Sequence, residues 1–325
     1  MLCIAIFCVA CIPLKDEDKI EGANDKLSTW VADWDYKSGF VDVAHMEGLA
    51  SVQLFSVYFT QQAEFHLTEA FLAMEKQAFE QELIGVPKYF TVVNDRFLES
   101  GKVKQKDPTL ISQVVQDKTI RARYITELVN LAVERNYDGV EMDFEKINAK
   151  DKTKVAYFYG ELYQALQAVG KDLRVLIEPA TIATKTRYPE GPTYVVMAYN
   201  LHGYHSNPGP KADYAFIKQL VADSKNVPGK VTIAFATGGF VWKGDTVKAL
   251  SETEAERIAP KRSKRDQQSG ALHFDSERHG EVWYSDAKTI NGWIDVAQQT
   301  KSVDIAIWRA GGLTEKTAKA IMQYN

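Results

Sequence analysis

Short β-rich runs that alternate with amphipathic helical patterns restrict the fold of this chain more than any other feature. Eight such runs follow residue 27, at positions 29–35, 51–59, 88–94, 139–145, 173–178, 194–200, 230–236 and 303–308. Between several of them, apolar residues recur at spacings of three and four, as in 120–132 and 155–166. Eight strands alternating with helices over about 300 residues predict an α/β fold, the closed (β/α)8 TIM barrel.

The chain between the seventh and eighth runs is longer than one helix requires. It contains two further β-rich segments, 271–274 and 281–284, with Gly280 in the polar turn between them. Two such runs joined by a polar turn are typical of a β-hairpin. We therefore predict a small β-hairpin insertion between the seventh strand and the seventh helix.

All three cysteines lie among the first eleven residues, so the rest of the chain can hold neither a disulfide nor a thiolate metal site. Residues 1–14 are apolar but too short to span a bilayer as a helix, and they resemble a secretion signal without its basic start. Residues 8–11 resemble a bacterial lipobox, in which Cys11 would be lipidated. A buried first strand is the alternative for this segment.

These features predict two regions, a signal- or lipoprotein-like segment with a polar tether over 1–27 and one barrel domain over 28–325. The expected location is outside the cell or on the bacterial envelope, with membrane contact only through a lipid on Cys11. The formal net charge is −4, and the basic run 261–265 is interpreted as solvated surface. We expect no nucleic-acid partner, and a monomer.

The fourth run carries three acidic residues at alternate positions, Glu141, Asp143 and Glu145. Side chains alternate across a strand, so the three carboxylates share one face and the apolar residues between them share the other. Crowded carboxylates cannot all ionise easily, so at least one pKa should be raised, as a general acid requires. A solvated edge strand or a metal cage would also place acids together. Glu145 comes last, at the strand end where barrels keep their active sites.

Residues 138–145 resemble the DxxDxDxE signature of glycoside hydrolase family 18, which comprises the chitinases and related endo-N-acetylglucosaminidases. Asp138, Asp143 and Glu145 match the signature, whereas Glu141 stands where the family usually has Asp. The segment 197–200 is similar to the family's MxYD motif, with Asn200 replacing the final Asp. The usual SxGG on the third strand is absent, since residues 91–94 read TVVN. This departure looks more like the wall-associated, spore-lytic branch than a typical chitinase.

The resemblance implies hydrolysis of β-1,4 bonds next to N-acetylglucosamine in peptidoglycan, chitin or an N-glycan, without a metal or other cofactor. It implies a retaining mechanism in which the substrate's acetamide is the nucleophile. By resemblance, Glu145 is the general acid and base, Asp143 orients the acetamide, and Tyr199 donates a hydrogen bond to it. The supporting and substrate-binding residues implied in the same way are Glu141, Asp138, Asn200, Trp308 and Met197.

Two other functions share this barrel pattern. One is a non-catalytic glycan-binding protein. The departures from the family motifs at Glu141 and Asn200 favour this alternative, whereas the presence of the proton donor Glu145 counts against it. The other is a metal-dependent hydrolase in which the carboxylates are ligands. Four more residues lie near predicted strand ends, where they either line the cleft or pack in the core: Asn94, Glu178, Trp34 and Trp242.

Overall fold

A computed structural model describes residues 27–182 and 187–324 and has a parallel barrel at its centre. The barrel strands are β1 (Leu27–Ala32), β2 (Ser51–Phe59), β3 (Lys88–Phe97), β4 (Gly139–Asp143), β5 (Asp172–Ile177), β6 (Thr193–Met197), β7 (Val231–Ala236) and β8 (Asp304–Ala310). Each strand pairs in parallel with its neighbours along the chain. β1 also pairs with β8 and closes the ring. The (β/α)8 TIM barrel prediction is confirmed.

Helices surround the barrel, and side-chain caps begin most of them. The helices of the described chain are Tyr36–Val43, Glu69–Gln77, Pro108–Val114, Lys118–Glu134, Lys152–Gln167, Pro179–Ile182, Tyr214–Asp223, Glu252–Ile258, Ala287–Thr300 and Glu315–Ile321. The Asp117 carboxylate, for example, accepts a hydrogen bond from the backbone N–H of Ile120 and so satisfies a free donor of the first turn. Asp151 immediately precedes the helix Lys152–Gln167, but its carboxylate accepts from the Ser112 hydroxyl instead of capping that helix.

The outer strand faces and the helices form the main apolar core, whereas the barrel interior has a smaller one. That interior cluster comprises Trp30, Leu176, Val195, Met197, Ala234 and Ala306. Val140 and Met142 of β4 point outward into the main core, and Glu141 and Asp143 point inward, as strand alternation predicts. The interior is therefore packed, and β4 brings two acidic side chains into it.

Several strand ends differ from the sequence predictions. β1 begins at Leu27, which we assigned to the tether, and pairs there with Ile305. β4 ends at Asp143, not at residue 145, and β6 ends at Met197, not at residue 200. The reason at β4 is a side chain: Asn94 donates to the Glu145 carbonyl (3.1 Å) and accepts from the Glu145 N–H (2.9 Å), in place of a strand neighbour.

The insertion after β7 is larger than the predicted hairpin. It is a five-stranded antiparallel sheet made of Gly238–Lys243, Thr246–Leu250, Lys264–Arg265, Leu272–Ser276 and Gly280–Ser285. The predicted hairpin is present as its last two strands, which pair from Leu272–Tyr284 to Ser276–Gly280. A second hairpin precedes it, because Gly244 with φ of +57° allows a tight turn between Lys243 and Thr246. The prediction of a small hairpin was wrong in size and right in place.

The predicted signal segment, the lipidation site Cys11 and most of the tether lie outside the described residues. Within residues 27–182 and 187–324, no helix is both long and apolar enough to cross a membrane.

Candidate active site

A cleft of about 410 Å³ opens at the mouth of the barrel, where the carboxyl ends of the strands meet. It gathers six of the eight site residues implied by the family resemblance: Asp143, Glu145, Met197, Tyr199, Asn200 and Trp308. They come from the ends of β4, β6 and β8, which the barrel closure brings together. A site built from several strand ends at this face is the usual arrangement of barrel enzymes.

Glu145 lies at the rim of the barrel, immediately beyond β4, and is largely buried. Its backbone is fixed by the two hydrogen bonds to Asn94, and its Oε2 accepts a hydrogen bond of 2.5 Å from the Lys106 ammonium. Burial raises the pKa of Glu145, the Lys106 charge lowers it, and the net direction is upward. The group can therefore hold a proton at a higher pH than an ordinary glutamate.

Asp143 is buried two residues before Glu145, on the same side of the chain. Its Oδ1 atom is enclosed and has no hydrogen-bond partner within the described residues. Burial first, and then the charge of Glu145, raise the pKa of this carboxyl well above its usual range. A buried oxygen without a partner costs free energy unless something else binds it. Asp143 thus lines the cleft and keeps one enclosed oxygen whose hydrogen-bonding capacity is unused within the described residues.

Tyr199 and Asn200 follow the end of β6 and face the same acids. Burial, and then the Asp143 and Glu145 carboxyls, raise the pKa of the Tyr199 hydroxyl well above 10, so this group is a neutral donor. The Asn200 amide lies 4.0 Å from the Met197 sulfur, and both residues line the cleft. Two acids and a phenol therefore converge on one small volume.

Glu141 does not reach the cleft, because three donors hold it inside the barrel. Its Oε1 accepts from the Trp30 indole N–H (2.5 Å) and the Thr91 hydroxyl (2.8 Å), and its Oε2 accepts from Arg174 Nε (2.8 Å). The carboxylate is fully buried, and the Arg174 side chain is nearly so. Arg174 thus balances the charge of Glu141 in a buried ion pair below the site.

We expect Arg174→Met to lower the free energy of unfolding by about 3–5 kcal/mol, because it leaves the Glu141 charge buried without its partner. Urea denaturation would measure this loss. Arg123→Met is the matched control: Arg123 pairs with Glu127 at 3.7 Å on an exposed helix face, where the pair contributes less than about 1 kcal/mol. Equal stabilities of the two variants would contradict the compensating role of Arg174.

Asp138 lies at the opposite end of the barrel from the cleft. Its Oδ2 accepts a hydrogen bond of 2.7 Å from the backbone N–H of Lys88, at the start of β3. Its own backbone carbonyl accepts from the N–H of Asp172, at the start of β5. Asp138 therefore ties three neighbouring strands together at the barrel floor and is remote from the other site residues.

Aromatic rings form one wall of the cleft. The Trp308 ring packs edge-on against Phe55 (centroids 4.9 Å apart) and Trp30 (5.8 Å). Trp34 packs against Phe55 and is 57% exposed, so its ring is open to a ligand. Trp242 is buried in the inserted sheet, where its indole donates to the Ser206 carbonyl, and it does not line the cleft. Of the two tryptophans left open by the sequence, only Trp34 is at the site.

Sequence reasoning missed Lys106 and Asp95, which also line the cleft. Lys106 comes from the loop after β3 and has a φ of +51°, a conformation that its sequence does not signal. Its backbone N–H donates to Asp95 Oδ1 at 2.7 Å, which fixes the loop. Glu178, a candidate for the cleft, instead accepts from the backbone N–H of Lys146. In the described ranges, no group of three or more His, Cys, Asp or Glu side chains is arranged to hold a metal ion.

Comparison with known proteins gives one family match and several relatives. The family model for glycosyl hydrolases family 18 matches residues 99–312. An uncharacterized glycosylase of Bacillus subtilis, YvbX, is 27% identical over an alignment of 240 residues, and the match covers 66% of this chain and 69% of that protein. A putative sporulation-specific glycosylase of the same organism, YdhD, is 26% identical over 62% of this chain and 53% of its own length. The chain thus spans about half the length of YdhD.

Among solved structures, the spore cortex-lytic enzyme SleL of Bacillus cereus superposes with a TM-score of 0.76 at 18% identity. The superposition covers 93% of this chain and 74% of SleL. This likeness supports the barrel architecture.

Proposed function

The chain belongs to glycosyl hydrolases family 18 and is a glycoside hydrolase, and from that premise we propose that it cleaves β-1,4 bonds next to N-acetylglucosamine in a glycan polymer. The observation that carries the proposal is the grouping of Glu145, Asp143 and Tyr199 in one cleft walled by Trp308. The grouping offers a proton, a buried hydrogen-bonding oxygen, a neutral donor and an apolar surface for a sugar ring.

In the first step, Glu145 transfers its proton to the glycosidic oxygen as the bond from that oxygen to the anomeric carbon breaks. Burial favours the protonated form that this step requires. The carbonyl oxygen of the sugar's own 2-acetamido group bonds to the anomeric carbon and gives an oxazolinium ion. The intramolecular geometry replaces a protein nucleophile, as in the substrate-assisted exceptions among retaining glycosidases.

Asp143 and Tyr199 stabilise the acetamide in this step. The Asp143 carboxyl accepts the acetamide N–H, and the Tyr199 hydroxyl donates to the acetamide oxygen. Positive charge that develops on the acetamide favours the ionised form of Asp143, so the single proton of the Asp143–Glu145 pair lies on Glu145 when the bond breaks. In the second step, Glu145 takes a proton from water, which attacks the anomeric carbon and releases the acetamide oxygen. Two inversions give net retention.

The experiment that tests the proposal is a digest of chitin, peptidoglycan and N-glycans with identification of products by mass. We expect products whose new reducing end is N-acetylglucosamine, with the β configuration at the moment of release by NMR. A matched digest of cellulose, which lacks the acetamide, is expected to give no products. Absence of hydrolysis of all three acetamido glycans, or initial release of the α anomer, would contradict the proposal.

A further inference from the structure

A second cavity adjoins the cleft along its aromatic wall. It measures about 540 Å³, and Trp34 and Trp308 line both spaces. The remaining wall comes from the loops after β1, β6 and β8 and from the inserted sheet, including Lys211, Thr237 and Arg309. A glycan stacked on the aromatic wall would therefore extend one of its substituents into this second space.

Lys211 gives the cavity a positive charge that no acid in the described chain offsets. Within the described residues its ammonium donates one hydrogen bond, to the Thr237 carbonyl at 2.6 Å, and it lies 5.3 Å from the centre of the Phe240 ring. Burial, and then the nearby Arg309 charge, lower the pKa of Lys211 to about 7. An ammonium has three N–H donors, so two remain for a ligand.

The carboxylates that line the same cavity are already engaged elsewhere. Asp35 pairs with Arg309 at 2.9 Å. Glu254 accepts from the backbone N–H of Ser251 at 2.9 Å, within the cap of its own helix. Neither contributes to the charge environment of Lys211. A partly buried cation without a counter-charge is costly, and a bound anion would remove that cost.

We propose that this cavity binds a carboxylate carried by the sugar next to the N-acetylglucosamine at the cleavage point, with Lys211 as its counter-ion. The inference rests on the proposed glycan hydrolysis and narrows the substrate to acidic glycans. The lactyl ether of muramic acid in peptidoglycan places a carboxylate on such a neighbouring sugar, whereas chitin carries none. Lys211 is then a specificity-determining residue, outside the group that performs the bond cleavage.

The test compares two soluble tetrasaccharides, a peptide-free peptidoglycan fragment with free lactyl carboxylates and the neutral chitotetraose. The control ligand is the same peptidoglycan fragment with its carboxyls converted to uncharged methylamides. Lys211→Met removes the positive charge from the cavity, and Lys211→Arg retains it. Lys243→Met is the control variant, because Lys243 is an exposed lysine that donates to the Arg278 carbonyl at the edge of the inserted sheet. Binding is measured in the Glu145→Gln background and kcat/KM in the active enzyme.

We expect wild type to prefer the free carboxylate over its methylamide by about tenfold, as a charge-assisted hydrogen bond allows. Lys211→Met should remove this preference, while Lys211→Arg and Lys243→Met keep it. Equal losses on acidic and neutral glycans in Lys211→Met, or no preference in wild type, would overturn the inference while hydrolysis itself persists. If wild type neither binds nor cleaves any of the three, the proposed function fails instead.

Discussion

Replacing Glu145 with glutamine should lower kcat by about 10³-fold and leave glycan binding within a factor of a few. The substitution preserves the shape of the side chain but removes its acidic proton, and general acid–base groups typically contribute 10² to 10⁴-fold. Lys106 can still donate to the side-chain oxygen of glutamine, as it does to Glu145 Oε2, so the cleft should keep its form. Initial rates on chitooligosaccharides and peptidoglycan, with calorimetric binding, measure both quantities.

Glu99→Gln is the matched control, because Glu99 is an exposed carboxylate on the loop after β3 that accepts from Gln62. It should retain the wild-type rate, and both variants should unfold at the wild-type temperature. Comparable turnover in Glu145→Gln and wild type would refute the assignment of the proton donor. Strong glycan binding by a wild type that shows no turnover would favour the non-catalytic alternative.

The inward-facing acids could be predicted because they depend only on strand alternation. Once β4 is a barrel strand with an apolar outer face, Glu141 and Asp143 must point inward, and the structure places them there. The barrel itself follows from the number and spacing of the β-rich runs, since most connections are long enough for a helix. These are local patterns that need no knowledge of distant contacts.

The charge environment of the site could not be predicted, because it depends on contacts between distant segments. Lys106 meets Glu145 across 39 positions of the sequence, and Arg174 meets Glu141 across 33. Neither Lys106 nor Arg174 lies in a recognisable motif. Strand alternation therefore predicts the three inward-facing acids but not the cations that pair with two of them. The closed barrel supplies a cationic partner to Glu141 and another to Glu145, and within the described residues Asp143 Oδ1 has no hydrogen-bond partner.

The size of the inserted sheet was missed although the sequence carries a signal for it. Gly244 and Asp245 separate two β-rich segments, and glycine followed by a polar residue is a common two-residue hairpin loop. The predicted seventh strand ends at residue 236, just before the segment that contains Gly244 and Asp245. The size of the sheet matters for the proposed function, because this sheet helps to enclose the cavity that contains Lys211.

Hydrolysis of a partially N-acetylated glucosamine polymer should leave N-acetylglucosamine at every new reducing end. If the acetamide oxygen is the nucleophile, a sugar with a free amine at the cleavage point has no group that can attack its anomeric carbon. An intramolecular nucleophile acts at an effective concentration of about 10⁵ M or more, so a glucosamine unit in that position should give no detectable product. Sequencing the products by mass spectrometry measures the identity of each new end.

The heteropolymer contains its own control, because acetylated and free units lie in the same chain and bind the same cleft. Units further from the cut should show both kinds of sugar, which demonstrates that free amines are tolerated elsewhere. Fully re-acetylated polymer should be cleaved faster in proportion to its added acetamides. New reducing ends of glucosamine would contradict the acetamide as nucleophile, because such a unit has no acetamide to attack its anomeric carbon.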